Sequence, residues 1–515
     1  MKFLITPKKF GRNLFKKNQM NKDYIILNPD YLLRNDTDRI VLYSGKQVQE
    51  YSSSEWISYI HPVQAMILSI FSEENILSGK NTFILKKLNL SMDMLERIVR
   101  PFVENRTSIY TEFKGHKVLF PKNVLIYASK VTAKSDKLQT CNFMCNTIDL
   151  TPDRMHRAPL SLLFMLTNKC ATDCKYCYAD RDTQYTPLST NEILKIINEA
   201  SQLGMTYIDI IGGEVFCRKD WPVIIKRLVD LHLTPNYIST KVPISEHQIK
   251  MLSDTGYNNV VQISLDSMCD NTLKSIIGVK KGYINRMVET IKKLNLSGFK
   301  IQIDTILTRD SATEANILDL YNFIKTIPNL VYWEIRVPEV SIYSSRHFAK
   351  VQATKSQLES IISFIKVKII PNAVFTIYVS DEALCEEYNN AKTDEEYFRG
   401  GTCGMLQNRL FILPDGKVSI CEQLYWLPQF IIGDLKKNTI SEVWTSPKAL
   451  ALFNMKKELF SSESKCYSCK HLELCNSRHR RCFVKVIKAY GKDKWDFPDP
   501  RCIYAPKVKS KLIYK

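Results

Sequence analysis

The sequence predicts an α/β protein built on a parallel sheet. From Leu160 to about Tyr378, short apolar strands alternate with amphipathic helices, and six such βα units in succession are the signature of parallel strands with helical crossovers. The residues with chemical potential, cysteines, a Gly-Gly-Glu and a Ser-Leu-Asp, fall where those strands end. At 515 residues and 45% apolar composition the chain has room for about two to four domains with cores of their own.

Ser161–Leu166 is the first strand, an unbroken apolar run. Ser189-Thr-Asn-Glu192 is a capping box that opens a helix with Ile193, Leu194, Ile197, Ala200 and Leu203 on one side. Tyr207–Ile211, Asn236–Ser239, Val260–Leu265, Lys300–Leu307 and Val331–Arg336 read as the later strands, separated by helical segments such as Trp221–Leu231 and Tyr283–Leu296. No GxGxxG follows the first strand, which disfavours a dinucleotide site. Glu334 and Arg336 stand two apart on the last strand and so share a face; an ion pair with a neighbouring strand is the plain expectation for them.

Directly after strand one, Cys170, Cys174 and Cys177 lie within eight residues. Three thiolates hold three irons of a 4Fe-4S cluster and leave the fourth open to a small molecule. A zinc site and reduced core cysteines are the alternatives, but zinc motifs usually show two paired half-sites, and no His lies near this triplet. The CxxxCxxC loop, with Tyr176 before its last cysteine, resembles that of the radical S-adenosylmethionine (SAM) enzymes. The resemblance implies a partial (β/α)6 TIM-like barrel with its chemistry at the C-terminal strand ends. It also implies that the open iron chelates SAM, which one electron splits into methionine and a 5′-deoxyadenosyl radical.

Other strand ends extend the resemblance. Gly212-Gly213-Glu214 after strand two matches the family's GGE motif, whose acid holds the SAM amino group. Ser239-Thr240 ends strand three where the family often has Thr-Asn-Gly, and Lys241 departs from that pattern. Ser264-Leu-Asp266 resembles the segment near the SAM carboxylate and ribose, and Tyr176 is implied to face the adenine. Cys217 and Cys269 are expected in small buried roles.

Cys403, Gly416 and Cys421, then Cys466, Cys469 and Cys475, then Cys482 and Cys502, resemble the SPASM extension, which binds two auxiliary 4Fe-4S clusters. The pattern implies Cys403, Cys421 and Cys482 on the first, completed by Cys385 or left with an open iron, and Cys466, Cys469, Cys475 and Cys502 on the second. Six residues separate Cys475 from Cys482 where three are usual, and His479 takes the expected position; the thiolate is preferred. A zinc ribbon on Cys466 and Cys469 would leave Cys403, Cys421 and Cys502 unexplained. Gly433-Asp-Leu and Ser441-Glu-Val-Trp444 resemble the segment between the SPASM cysteine groups.

Ahead of the barrel, residues 23–127 read as a small unit. Tyr24–Pro29 and Arg39–Ser44 are strands joined by the turn Arg34–Asp38; Pro62–Phe71 and Ser91–Val103 are helices; Lys117–Phe120 and Val124–Tyr127 close it as a hairpin. This order resembles the winged-helix leader-peptide recognition domains, which take up an extended peptide as an added strand. A DNA-binding winged helix is the rival, but Arg97 and Arg100 are balanced by Asp93, Glu96 and Glu104, so nucleic acid is disfavoured. Residues 128–159 are expected as a linker, 160–380 as the barrel, and 381–506 as the SPASM domain.

Of the formal net charge of +19, residues 1–22 hold +7 and 503–515 hold +4; two solvated basic tails, 1–22 and 507–515, are the plain expectation, and attraction of an acidic peptide or nucleic acid is the functional alternative. The N-terminus lacks the apolar core of a signal peptide, and no apolar run is long enough to span a membrane. Clustered cysteines without a disulfide framework point to a reducing cytoplasm. Together the resemblances imply a maturase of ribosomally made peptides, with a leader-bearing precursor peptide and an electron donor such as flavodoxin or ferredoxin as partners. A thioether is the leading product, and a carbon–carbon crosslink is the close alternative. A formylglycine-forming sulfatase-type maturase and a redox-sensing nucleic-acid regulator are the rival readings.

Overall fold

Helical crossovers force neighbouring strands to run parallel, and the computed structural model shows that pattern in its larger unit. It describes residues 24–44, 56–72, 85–130, 138–343, 345–381, 404–477 and 481–508. The chain divides into two units, Met1–Arg157 and Ala158–Lys515.

In the first unit, strands β1 (Ile25–Leu27), β2 (Tyr31–Asn35), β3 (Ile40–Ser44) and β4 (Ile57–Ile60) precede helices Pro62–Ile70 and Met92–Val99, then β5 (Ile109–Phe113), β6 (His116–Phe120) and β7 (Leu125–Tyr127). The first helix starts at a proline that needs no hydrogen-bond partner at N1, capped by His61, whose ring accepts from Val63 N–H at 3.1 Å. The second ends where Pro101 cannot continue it.

Two pairings differ from expectation. The partner of β3 is β2, not the strand at Tyr24, because a tight turn with Thr37 at φ 78° folds the chain straight back, Asp36 N–H donating to the Arg39 carbonyl. The hairpin joins β5 to β6 through Lys114 and Gly115, at φ 46° and 80°, the left-handed pair that a two-residue hairpin turn requires. That leaves β7 to pair with β1.

The expected linker is also more than a tether. Phe143 and Leu150 join the core of this unit, and fully buried Arg39 pairs with Asp36 at 3.1 Å and donates to the carbonyls of Thr151 and Arg154. Carbonyl anchors of this kind carry no side-chain signature, so a polar sequence conceals them.

The second unit holds the barrel strands β8 (Ser161–Thr167), β9 (Tyr207–Gly212), β10 (Tyr237–Thr240), β11 (Val260–Ser264), β12 (Lys300–Ile306) and β13 (Leu330–Arg336), with β14 (Thr376–Ser380) added in parallel. Their hydrogen-bonded order is β8-β9, then β10-β11-β12-β13-β14, all parallel. Between β9 and β10 the ladder is replaced by Asp209, whose carboxylate accepts from Asn236 N–H at 3.0 Å. This is an α/β partial (β/α)6 barrel.

Strand β15 (Arg409–Ile412) pairs in parallel with β8, and β16 (Lys417–Ser419) and β17 (Ile431–Asp434) continue the same sheet, so the C-terminal extension is built onto the edge of strand one. Gly416, at φ 89°, makes the turn between β15 and β16. At Gly433 a Cβ would lie 2.5 Å from Val443 Cγ2, which explains why a glycine packs against the helix Ile440–Trp444. The basic tail 1–22, Cys385, Cys403 and His479 lie outside the described residues. Among the described residues no helix is long and apolar enough to cross a membrane.

Candidate active site and iron–sulfur centres

The loop after β8 is fixed by its backbone. Asp173 and Lys175 N–H donate to the Ile277 and Ile276 carbonyls, each at 2.9 Å, tying the loop to the end of helix Asp270–Ile277. Gly278 follows at φ 70°, where a Cβ would meet Asp173 Cβ at 3.1 Å. Within the loop the Thr172 hydroxyl lies 3.3 Å from Cys170 Sγ and 3.4 Å from Cys174 Sγ. Burial pushes the Cys174 thiol up to about 12, with Lys241 opposing, so binding a metal there must expel a proton.

The thiol spacing tests the cofactor. Thiolates around zinc at about 2.3 Å stand only ~3.8 Å from one another. Among the described residues, Asp38, Asp149 and His156 of the first unit are the one group whose ligand atoms all lie within 4.8 Å; no cysteine triplet is drawn so tight. Three thiols on one loop, two of them flanking the Thr172 hydroxyl, are the donor set that suits three irons of a cubane. In the first unit, His156 is already committed to Asp38 at 2.7 Å.

The Gly-Gly-Glu segment packs onto this loop. Gly213 N–H donates to Thr167 O at 2.7 Å and Glu214 N–H to Lys169 O at 2.8 Å. A Cβ at Gly213 would lie 2.2 Å from Lys169 O and 2.6 Å from Asn168 O, and at Gly212 2.9 Å from Thr167 O, so both positions need glycine. Gly213→Ala is expected to cost roughly 1–3 kcal/mol of stability by overpacking the two strand-end loops, read as a lowered urea midpoint.

Glu214 is buried. Its Oε2 accepts from Thr240 Oγ1 and Lys241 N–H, both at 3.1 Å, and its Oε1 from Phe216 N–H at 3.2 Å. Burial raises its pKa to about 7, with the hydrogen bonds opposing. Next to it, fully buried Asp266 accepts from the Tyr176 hydroxyl and from Lys241 Nζ at 3.2 Å, while Lys241 also donates to the Tyr176 oxygen at 2.8 Å. Ile306 N–H holds the other Asp266 oxygen at 3.0 Å. Tyr176, Glu214, Thr240 and Asp266 are thus brought to one place by four strand ends, with Lys241 as the cation that joins them. The sequence reading assigned Lys241 no role; its departure from the family pattern was the available signal.

Ser239 and Ser264 lie close to the ends of β10 and β11, in register with Gln262 and Asp304 respectively. Gln262 and Ser264, Gln302 and Asp304, and Tyr332, Glu334 and Arg336 share one face of the sheet, while Ile263, Ile303, Trp333 and Ile335 on the other are fully buried. Arg336 joins Glu334 at 2.7 Å and Asp304, on the neighbouring strand, at 3.1 Å. Burial holds Asp304 up to about 7, opposed by Arg336. Gln262 Oε1 and Arg336 Nε are buried with no partner among the described residues, so this face has hydrogen-bonding capacity to spare. On β8 and β15, Leu163, Met165 and Phe411 form an apolar cluster with Tyr425 and Ala179, against which Cys177 packs. Cys217, the last residue of the turn Val215–Cys217, and Cys269, the N-cap of helix Asp270–Ile277, are exposed and not buried as expected.

In the C-terminal extension, Cys466, Cys469, Cys475 and Cys502 converge. Burial pushes Cys502 up to about 12 and Cys475 up to about 11, and each is raised further by the charges of Cys466 and Cys469. Cys421 and Cys482 line a common cavity with Met405, Leu424 and Phe483.

Residues 164–324 match the Radical SAM superfamily, and residues 403–470 match SPASM, an iron–sulfur cluster-binding domain. The chain is similar to the PqqA peptide cyclase of Methylocella silvestris, at 22% identity over 61% of this chain and 81% of that one. A PqqA peptide cyclase of Methylorubrum extorquens is 24% identical over 58% of this chain and 74% of its own. Its fold is similar to that of Streptococcus suis SuiB bound to S-adenosylmethionine, with a TM-score of 0.61 at 17% identity, covering 93% of this chain and 100% of SuiB. With both domains matched in sequence and the strand-end chemistry assembled on one barrel, the chain is a radical SAM/SPASM enzyme whose cofactors are 4Fe-4S clusters and SAM.

Proposed function

We propose that this enzyme modifies a ribosomally made precursor peptide by forming a crosslink, with a thioether as the leading product and a carbon–carbon bond as the alternative. The observation that carries this reading is the sequence similarity to PqqA peptide cyclases over 61% and 58% of this chain. The fold of SuiB bound to its precursor peptide SuiA supports it, since that likeness covers 93% of this chain and so takes in the N-terminal unit. That unit, read as a winged-helix-like leader-recognition domain, offers an antiparallel sheet with β2 and β4 as edges to which an extended peptide can add.

On this reading Cys170, Cys174 and Cys177 hold the SAM-binding cluster. Cys403, Cys421 and Cys482 hold one auxiliary cluster, and Cys466, Cys469, Cys475 and Cys502 the other. When bound, cluster and SAM would supply a radical that takes one hydrogen atom from an unactivated carbon; as the crosslink forms, the second hydrogen leaves as a proton and an auxiliary cluster would accept the remaining electron. Glu214 and Thr240 receive the SAM amino group; Gly212 and Gly213 let backbone approach it. Ser239, Ser264 and Asp266, the last fixed by Tyr176 and Lys241, orient its polar groups. The face carrying Gln262, Asp304, Glu334 and Arg336 positions the target residue, with unpartnered amide and guanidinium atoms ready to bind it. A reduced flavodoxin or ferredoxin in the cytoplasm is the matching electron donor.

The test is anaerobic co-expression with a candidate precursor whose core is rich in cysteine. The expected product is a peptide lighter by two hydrogens per crosslink, with a cysteine no longer open to alkylation if the bond is a thioether. Unchanged peptide mass from a protein that cleaves SAM would contradict the peptide reading.

A further inference from the structure

The loop between Cys475 and Cys482 is three residues longer than the pattern it resembles, and its last residue, Arg481, reaches a cysteine. Arg481 Nη2 donates to Cys466 Sγ at 2.9 Å, while Nη1 donates to the Asp496 carbonyl at 3.0 Å. The guanidinium also lies over the Phe460 ring, 4.7 Å from its centre. Three contacts therefore fix the cation against one sulfur of the Cys466, Cys469, Cys475 and Cys502 group.

Nearby carboxylates are engaged elsewhere. Asp499 pairs with Arg501 at 2.8 Å and accepts from Cys482 N–H, and Asp496 accepts from Ser461 N–H at 2.6 Å. Among the described residues no ion pair joins Arg481 to an acid, so its charge is directed at the sulfur. Cys466 is only 8% exposed, where solvent screens that charge weakly.

We propose that Arg481 sets the reduction potential of the second auxiliary cluster, holding it above the value that the four thiolates alone would give. This rests on the cluster reading of the C-terminal cysteines, and not on the peptide as substrate. Reduction adds one electron to an already anionic group of cluster and thiolates. A fixed cation with an N–H on a ligand sulfur stabilises that added charge, and hydrogen bonds to the sulfurs are among the levers that set such potentials. Arg481 is in these terms a positioning residue for an electron. Its guanidinium also suits the role chemically, being always charged and planar enough to stack on Phe460 while donating.

The experiment is a redox titration followed by electron paramagnetic resonance, on full-length protein carrying Cys170, Cys174 and Cys177→Ala so that only auxiliary clusters report. Arg481→Gln is expected to keep the iron and sulfide of that parent. One couple should move to more negative potential by about a tenfold change in the ratio of reduced to oxidised form, ~59 mV for one electron. Arg481→Lys, which keeps the charge but not the stacked fork, should fall between. Full iron with unmoved midpoints in Arg481→Gln would overturn the inference.

If Arg481→Gln loses iron, the lysine variant decides. Retained iron with a lowered midpoint supports the inference; the parent's midpoint, or iron loss there too, overturns it in favour of a structural role. A parent without iron would overturn it together with the cluster reading, whereas an unmodified peptide in the co-expression test leaves it standing.

Discussion

Replacing Cys170, Cys174 and Cys177 with alanine is expected to lower the iron of the anaerobically reconstituted protein from about twelve to about eight per chain and to abolish SAM cleavage. The loss should be confined to one cluster. The loop is held by backbone bonds from Asp173 and Lys175 to the helix at Ile276 and Ile277, which the substitutions leave in place. The C-terminal thiols belong to elements built around β15 to β17 and the helix Phe483–Tyr490. Sulfide should fall in parallel, and the secondary structure should be retained. Iron unchanged at about twelve would mean that the triplet holds none of it; about four or fewer in the wild type, with zinc present, would mean that the C-terminal cysteines hold zinc.

Glu214→Gln is expected to weaken SAM binding by roughly 10–100-fold, the equivalent of about 1.5–3 kcal/mol for a hydrogen bond to a charged group. The pH dependence distinguishes this from a packing defect. Because burial raises Glu214 to about 7, the group favours the folded, SAM-free protein below its ordinary value near 4.5, and that contribution is lost as pH rises through about 7. The N–H groups of the SAM amino group are accepted better by the ionised carboxylate, so wild-type affinity should increase as pH rises through about 7, while Glu214→Gln should show a flat profile. Without SAM, the glutamine variant should be the more heat-stable of the two above about pH 7, since it carries no buried charge. Equal affinity and equal pH dependence in the two proteins would sink the assignment of Glu214 to the SAM amino group.

Local signals in this chain were legible where a residue's role is fulfilled by its sequence neighbours. The capping box at Ser189 and Glu192 forms as read, with Glu192 accepting from Ser189 N–H at 2.7 Å. The residues at the strand ends come together because side-chain direction and βα order place them at one rim of a barrel. What escaped were contacts made at a distance. The parallel pairing of Arg409 with Ser161 joins residues 248 apart, and nothing in either strand names the other. Tyr31–Asn35 was passed over as a strand because its pattern is mixed, yet β3 selects it through a turn at Thr37. Lys241 and Asp304 were missed for a related reason. Each is placed only through a partner distant in sequence, Asp266 for the first and Arg336 for the second.

Asp266 and Lys241 also bear on specificity within the site. Asp266 has no exposure, and Lys241 supplies its partner charge from the position where the family pattern has a neutral residue. The Tyr176 hydroxyl completes the contact, so the cysteine loop, the end of β10 and the end of β11 are held together through one buried oxygen.

The central claim is that this chain generates a radical from SAM, and 5′-deoxyadenosine formation tests it most directly. Wild-type protein, reconstituted anaerobically and reduced with dithionite in the presence of SAM, is predicted to release 5′-deoxyadenosine and methionine, whereas the Cys170, Cys174 and Cys177→Ala protein releases neither. A wild-type protein with its full complement of iron and sulfide that binds SAM but yields no 5′-deoxyadenosine would contradict the account.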